Sequence, residues 1–281
     1  MNLSKKILAF IKITRPINVV ITFLVVVVAI LISENEQTEL IVLILAPLAA
    51  ALTAAAGNIV NDIYDIETDR ISHPNRILVL ESLSIKEAWV EYWILNVVSV
   101  FIAIYLSPIL LIIVVLTIFI LFLYSAFLKR LPLIGNIIIA FVTGLAFIYG
   151  GYAVTNPNAA IIPAVFAFLI NLIREIIKDI QDIEGDLKLN FKTFPIRLGI
   201  DASKHIIVLI TITLILFTLY PFIQQIYKIE YFILVMVFVN PVLVMCIKNL
   251  LDKRRQTNLK MISRLLKLNM LIGLIAIYLG K

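Results

Sequence analysis

The chain has 281 residues, of which 62% are hydrophobic and only 15% charged. A water-soluble domain of this length does not need so much apolar surface, so the composition excludes one and predicts an all-α polytopic membrane protein. The net charge of +6 fits loops facing anionic lipid, and anionic substrates, better than nucleic acid. The single cysteine, Cys246, cannot form an internal disulfide.

No short apolar stretch with a small-residue cleavage site opens the chain, so no cleaved signal peptide is expected. About nine apolar spans follow, near 16–33, 40–60, 88–107, 109–127, 133–153, 159–177, 205–223, 231–248 and 262–280, each long enough to cross a ~30 Å hydrocarbon core. All are expected to be helices, because lipid leaves no other partner for backbone polar groups. Ser107-Pro108 is a tight turn between the third and fourth spans. Ser84 and Glu87 form a plausible capping box at the start of the third. His205 is placed at the start of the seventh, and neither it nor His73 is given a role.

Lysine and arginine set the orientation. The N-terminus carries Lys5, Lys6, Lys12 and Arg15, whereas the first connection carries Glu34, Glu36 and Glu39 and no basic residue. The second holds Arg70, Arg76 and Lys86; the fourth Lys129 and Arg130; the sixth Lys188, Lys192, Arg197 and Lys204; the eighth Lys253, Arg254, Arg255, Lys260 and Arg264. The alternation predicts a multi-pass cell-membrane protein with its N-terminus in the cytoplasm and its C-terminus outside. The chain is then one transmembrane domain, 1–281, built from two parallel four-helix repeats (about 10–128 and 129–248) and a closing helix at 262–280.

The repeat is visible in a nine-residue phrase used twice. Asn61-Asp62-Ile63-Tyr64-Asp65-Ile66-Glu67-Thr68-Asp69 and Lys178-Asp179-Ile180-Gln181-Asp182-Ile183-Glu184-Gly185-Asp186 match at three aspartates, two isoleucines and the glutamate. Spacing of i, i+3 and i+7 places the three aspartates on one face of a helix. Both phrases fall at the cytoplasmic ends of spans. Two acidic faces turned toward each other need a cation between them, and hard oxygen ligands suit Mg2+. The plainer alternative is two solvated helix ends, which the match in type and register disfavours.

Several further residues are singled out. Lys129-Arg130 ends the fourth span and reads equally as a positive-inside anchor. Arg174, Glu175 and Lys178 approach the second phrase at membrane depth, where charges are costly and usually functional. Gly144, Gly150 and Gly151 allow close helix packing or room for a ligand, packing being the safer reading. Together these residues outline a carboxylate-rich, metal-dependent pocket ringed by bases and continuing into an apolar bundle. That combination suits a diphosphate head with a long hydrocarbon tail.

The residues resemble the UbiA superfamily of intramembrane prenyltransferases. Its NDxxDxxxD pattern is intact from Asn61 to Asp69 and its DxxDxxxD pattern from Asp179 to Asp186. Thr193-Phe194-Pro195-Ile196-Arg197-Leu198-Gly199, Tyr124-Ser125-Ala126-Phe127-Leu128-Lys129-Arg130 and Arg15-Pro16 with Asn18 are similar to further family segments. One stretch departs. The family loop Asn-Arg-Pro-x-Pro-x-Gly is here Asn75-Arg76-Ile77-Leu78-Val79-Leu80-Glu81. Leu133-Ile134-Gly135-Asn136 and Phe147-Ile148-Tyr149-Gly150-Gly151 are most similar to the archaeal subgroup that makes ether lipids.

The resemblance implies transfer of a geranylgeranyl group from geranylgeranyl diphosphate to the hydroxyl of geranylgeranylglyceryl phosphate. It implies one Mg2+ on Asn61, Asp65 and Asp69 and another on Asp182 and Asp186, with Asp62 and Asp179 beside them. Asp65, Asp69, Asp182, Asp186, Lys129 and Tyr124 form the implied catalytic set, Tyr124 reading equally as a ring face that steadies an allylic cation and as an ordinary interfacial tyrosine. Arg15, Asn18, Asn58, Arg76, Lys129, Arg130, Arg174 and Lys178 form the implied substrate-binding set; Arg15, Arg76 and Arg174 are the candidates for the acceptor's phosphate, with Arg76 favoured because its loop follows the first phrase directly. The resemblance names no general base. An aromatic acceptor, as in quinone or haem biosynthesis, stays open, as does a cation transporter with two acidic half-sites.

Overall fold

The structure, a computed structural model, describes residues 3–34, 38–188, 191–252 and 258–281. Glu36, Lys253, Arg254 and Arg255, used above for orientation, lie outside the described residues. Among the described residues there is no strand, as expected where every backbone amide must be paired within its own segment.

An amphipathic helix, α1 (Leu3–Ile13), precedes the spans; hydropathy does not reveal it, because it is short and a serine and three lysines interrupt its apolar residues. Nine segments among the described residues are long and apolar enough to cross a membrane. These are α2 (Pro16–Ser33), α3 (Leu40–Tyr64), α5 (Ile85–Leu106), α6 (Pro108–Ala126), α7 (Ile134–Ala153), Pro157–Gln181 containing α8 (Ile161–Gln181), α11 (Ile200–Ile223), Ile229–Leu251 containing α12 (Ile229–Leu234) and α13 (Asn240–Leu251), and α14 (Leu259–Leu279). Short helices α4 (Ile66–Ser72), α9 (Ile183–Lys188) and α10 (Phe194–Leu198) lie between spans. The expected boundaries hold to a few residues, with one correction at the seventh span. It starts at Ile200, after Gly199 turns the chain in the left-handed region (φ 89°), so His205 is already inside it.

The chain groups into two compact units, Met1–Lys129 with Ala146–Asn158 and Arg130–Leu145 with Ala159–Lys281. In the first unit α2, α5 and α6 pack on α3. The reason is the alanine run of α3: Ala46, Ala49, Ala51, Ala55 and Ala56 are buried and let backbones approach. Where α5 crosses, Ser99 Oγ meets Thr53 Oγ1 at 2.7 Å and donates to the Ala49 carbonyl at 2.8 Å, so polar groups are satisfied in a dry interface. The capping box is present: Ser84 N donates to Glu87 Oε2 at 2.9 Å, and Glu87 N donates to Ser84 Oγ at 3.3 Å. Gly150 is a packing position as expected, since a Cβ there would stand 2.5 Å from the Ala29 Cβ and 3.0 Å from the Val26 carbonyl.

In the second unit α8 packs on α11 and α14 through buried Ile170, Ile173, Ile176 and Ile177. Gly144 packs against α8, where a Cβ would stand 2.8 Å from the Ala164 carbonyl. The eighth span is broken by a π-turn at Val235–Val239, just ahead of Pro241, which has no amide to continue the ladder. Asn269 Nδ2 donates to the Val239 carbonyl at 3.1 Å, and Tyr231 Oη to the Thr218 carbonyl at 2.9 Å. These bonds satisfy backbone oxygens inside an apolar unit.

Candidate active site

The two acidic phrases bend alike. The first helix ends at Tyr64, with Asp65 at φ −96°, ψ 3°; α8 ends at Gln181, with Asp182 at φ −95°, ψ 5°. Both angles lie in the bridge region between helix and strand. Amide bonds still run through each bend, from Asp65 N to Asn61 O (3.0 Å), Asp69 N to Asp65 O (2.7 Å), Asp182 N to Lys178 O (2.9 Å) and Asp186 N to Asp182 O (3.0 Å). This corrects the expectation of one continuous helical face. Aspartate is a poor helix former, and like charges four residues apart disfavour an unbroken turn. The helix therefore yields at the middle aspartate of each phrase.

In the first unit Asp62, Asp65 and Asp69 are all buried, Asp62 with only 3% of its surface exposed. Buried carboxylates demand partners, and four side chains supply them. Arg15 donates to Asp62 Oδ1, and Arg76 Nη1 reaches the same oxygen at 2.6 Å while its Nε lies 3.9 Å from Asp69 Oδ1. Lys129 Nζ and Asn61 Nδ2 both donate to Asp65 Oδ2. Burial pushes the Asp69 carboxyl up to about 6; Arg76 pulls it down, and the neighbouring Asp65 and Asp62 push it further up.

Each of these arms is braced. Arg15 sits in the left-handed region (φ 56°, ψ 68°) immediately before Pro16, a conformation costing about 1–2 kcal/mol for a non-glycine residue. Asn58, expected to touch substrate, donates to the Thr14 carbonyl at 2.8 Å and braces the turn that presents Arg15. Asn18 lies on the first turn of α2, its amide bonded to the Arg15 carbonyl at 2.8 Å. Arg76 rides on the divergent loop. Leu78 and Leu83 are buried there with Ala9 and Ile13 of α1, Ile59 and Val60 of α3, and Ala88 and Tyr92 of α5. Glu81, where the family has glycine, adopts a left-handed backbone at φ 53°. Tyr64 meets Trp89 and Phe122 edge-on, with centroids 6.3 and 6.0 Å apart, and so anchors the end of α3. Tyr124 is buried near the end of α6.

In the second unit Asn136 Nδ2 donates to Asp179 Oδ2 at 2.8 Å, and Lys178 to Glu175 Oε1 at 2.7 Å. Arg174 Nη1 donates to Asn171 Oδ1 at 3.1 Å. Asp186 is buried and Asp182 half-buried. The Phe191 amide donates to the Asp186 carbonyl at 2.9 Å, and the Arg130 guanidinium lies over the Phe191 ring at 5.0 Å. The adjacent bases Lys129 and Arg130 thus take different partners, an acid and an aromatic face. Thr193–Gly199 forms α10 and its cap. Asn171 and Asn136 were not assigned site roles from sequence, although Asn171 stands three residues before Arg174, the spacing at which helical side chains meet.

Among the described residues no three His, Cys, Asp or Glu side chains converge on one point. The donor set still fits Mg2+ by chemistry. That ion takes hard oxygens, commonly one or two carboxylates, and fills its remaining positions with water and substrate phosphate. The phrases offer such oxygens, now held by lysine, arginine and asparagine donors.

Comparison with known proteins agrees with this chemistry. Residues 20–271 match the model of the UbiA prenyltransferase family. A digeranylgeranylglyceryl phosphate synthase of Methanosphaera stadtmanae is 32% identical over 271 residues, covering 96% of this chain and 98% of that protein. A solved digeranylgeranylglyceryl phosphate synthase structure is 30% identical with a TM-score of 0.76, covering 98% of each chain. A UbiA homologue from Archaeoglobus fulgidus, bound to GPP and Mg2+, shares the fold with a TM-score of 0.70 at 18% identity, over 96% of this chain and 99% of that one. A cation transporter is thereby set aside: this chain belongs to the UbiA family and is a membrane-embedded prenyltransferase.

Proposed function

We propose that the enzyme transfers a geranylgeranyl group from geranylgeranyl diphosphate to the free hydroxyl of geranylgeranylglyceryl phosphate. The product is digeranylgeranylglyceryl phosphate, an ether lipid precursor. The observation that carries the proposal is near-full-length similarity, at 30% identity or more, to both a curated and a solved synthase of that name. The acidic phrases, with arginine and lysine in contact, supply what a diphosphate leaving group requires.

In the reaction the bond between donor C1 and the diphosphate oxygen breaks and the acceptor oxygen bonds to C1. The hydroxyl proton leaves to diphosphate or water. Arg76 and Lys129 would turn their donors toward phosphate oxygens, and Arg15 would hold Asp62 in place. Asn61, Asp65 and Asp69 would hold one Mg2+ and Asp182 and Asp186 a second; each ion supplies charge neutralisation to the departing diphosphate. We place this chemistry at the cytoplasmic ends of the spans, with the N-terminus inside and the C-terminus outside, on the lysine and arginine distribution. The matched bends at Asp65 and Asp182 support a chain built from two related halves.

The test is purified protein with labelled geranylgeranyl diphosphate and a panel of acceptors, with and without chelator. Turnover of the glyceryl phosphate, lost in chelator and restored by Mg2+, is expected. Turnover of an aromatic acid, with the glyceryl phosphate ignored, would overturn the acceptor assignment and leave the family standing.

A further inference from the structure

The basic side chains around the acidic phrases do not all have acidic partners. Arg15 and Arg76 are held by Asp62, Lys129 by Asp65 and Lys178 by Glu175. Arg15 Nε is also buried without a partner and Arg130 lies over the Phe191 ring, but among the described residues Arg174 makes neither an ion pair nor a ring contact. The hydrogen bond its guanidinium makes, from Nη1, goes to a neutral amide oxygen on Asn171 at 3.1 Å, and its Nε is buried without a hydrogen-bond partner. It stands within a transmembrane span, flanked by buried Ile173, Ile176 and Ile177. A guanidinium is always charged and offers five donors in a planar fork. Leaving such donors open at membrane depth is costly, and residues kept that way are usually functional.

The position is equally informative. Asn171, Arg174 and Lys178 fall at i, i+3 and i+7 of α8, a single stripe leading from the second phrase into the span. Arg174 lies eight residues before Asp182, about 12 Å along the axis at 1.5 Å per residue. The nearer acids are already engaged, Glu175 with Lys178 and Asp179 with Asn136. A glyceryl phosphate carries its reacting hydroxyl and its phosphate on neighbouring carbons. With the hydroxyl beside Asp179, five residues or about 7.5 Å along the axis from Arg174, the phosphate is within reach of the arginine's long side chain.

We propose that Arg174, its fork oriented by Asn171, binds the phosphate monoester of the acceptor lipid and thereby sets acceptor specificity. This rests on the acceptor reading above and revises the preference for Arg76, which the structure shows engaged with Asp62. Arg76 holds the acids that handle the leaving diphosphate; Arg174 reads the second anion.

The experiment compares two acceptors on the full-length enzyme at saturating geranylgeranyl diphosphate: geranylgeranylglyceryl phosphate and its dephosphorylated alcohol. Arg174→Gln should raise the KM of the phosphorylated acceptor roughly 10- to 100-fold, the range for a hydrogen bond to a charged group. The KM of the alcohol should hold, as should that of the donor when the donor is varied at fixed alcohol, so the preference for phosphate collapses. Arg174→Lys should recover part of it, a charge without the fork. A merely structural arginine would shift both acceptors, the donor and thermal stability together, and that result overturns the proposal. So does a selective loss of phosphate preference in Arg76→Gln but not in Arg174→Gln. Should Arg174→Gln fail to fold, Asn171→Leu, which removes the orienting amide, should raise the same KM alone; an unchanged phosphate preference in that variant also overturns it. Wild-type enzyme that uses only an aromatic acceptor overturns the acceptor reading and this inference with it. Wild-type enzyme that uses the glyceryl phosphate, with phosphate preference intact in Arg174→Gln, overturns this inference alone.

Discussion

Asp65 and Asp182 each end a helix at nearly the same backbone angles, and each has a second aspartate four residues on. Asparagine tolerates this conformation as well as aspartate does, so Asp65→Asn and Asp182→Asn test the charge and spare the bend. Each should lose about 2–3 kcal/mol of transition-state stabilisation, read as kcat/KM for geranylgeranyl diphosphate. Near wild-type turnover of either variant at saturating Mg2+ would remove that aspartate from the reaction. Glu81 offers a test of strain. Its left-handed backbone costs about 1–2 kcal/mol, and glycine would relieve it at an entropic cost of about 0.5–1 kcal/mol. Glu81→Gly should therefore raise the melting temperature slightly and leave activity unchanged. A fall in melting temperature would mean that the exposed Glu81 side chain makes a contact worth more than the strain.

At the scale of elements, the spans were legible because hydropathy sums over some twenty residues and errors average out. The shorter features were not. In α1, the exposed Ile7, Leu8 and Ile11 interleave with lysines, while buried Ala9 and Ile13 pack on the divergent loop. Nothing in the local pattern says which apolar residues face the protein. Likewise Leu78 and Leu83 read as ordinary loop residues until α1, α3 and α5 surround them. Glycine roles also needed the neighbours. A Cβ at Gly150 would meet the Ala29 Cβ and the Val26 backbone carbonyl, which cannot step aside, whereas one at Gly57 would meet the end of the flexible Leu121 side chain at 2.7 Å. Gly150→Ala should cost about 1–3 kcal/mol by overpacking, whereas Gly57→Ala should be near neutral or stabilising by up to about 1 kcal/mol through helix propensity. Thermal unfolding of the two variants side by side checks the contrast; equal effects would refute it.

For the whole molecule, the proposed orientation rests on the distribution of charge, and it makes a prediction of its own. Cysteines placed at Glu67 and Lys188, both exposed, should be labelled by an impermeant reagent from the same face of the membrane, while the native Cys246, buried, stays silent. Labelling from opposite faces would overturn the proposed topology. The acids themselves were legible from their doubled phrase. Their partners were legible only in part: Arg15, Arg76 and Lys129 stood out as charges, but Asn136 and Asn171 did not, because a lone asparagine in an apolar helix gives no sign of what it faces until the fold supplies the acid or arginine beside it.

The loop that carries Arg76 has exchanged one kind of stiffness for another. A loop built on two prolines is restrained by its own covalent rings at every temperature. This one is restrained by burying Leu78 and Leu83, and apolar burial weakens on cooling because it is entropic near room temperature. The hold on Arg76 should therefore loosen in the cold sooner than in relatives with the prolines, giving this enzyme a steeper loss of activity as temperature falls.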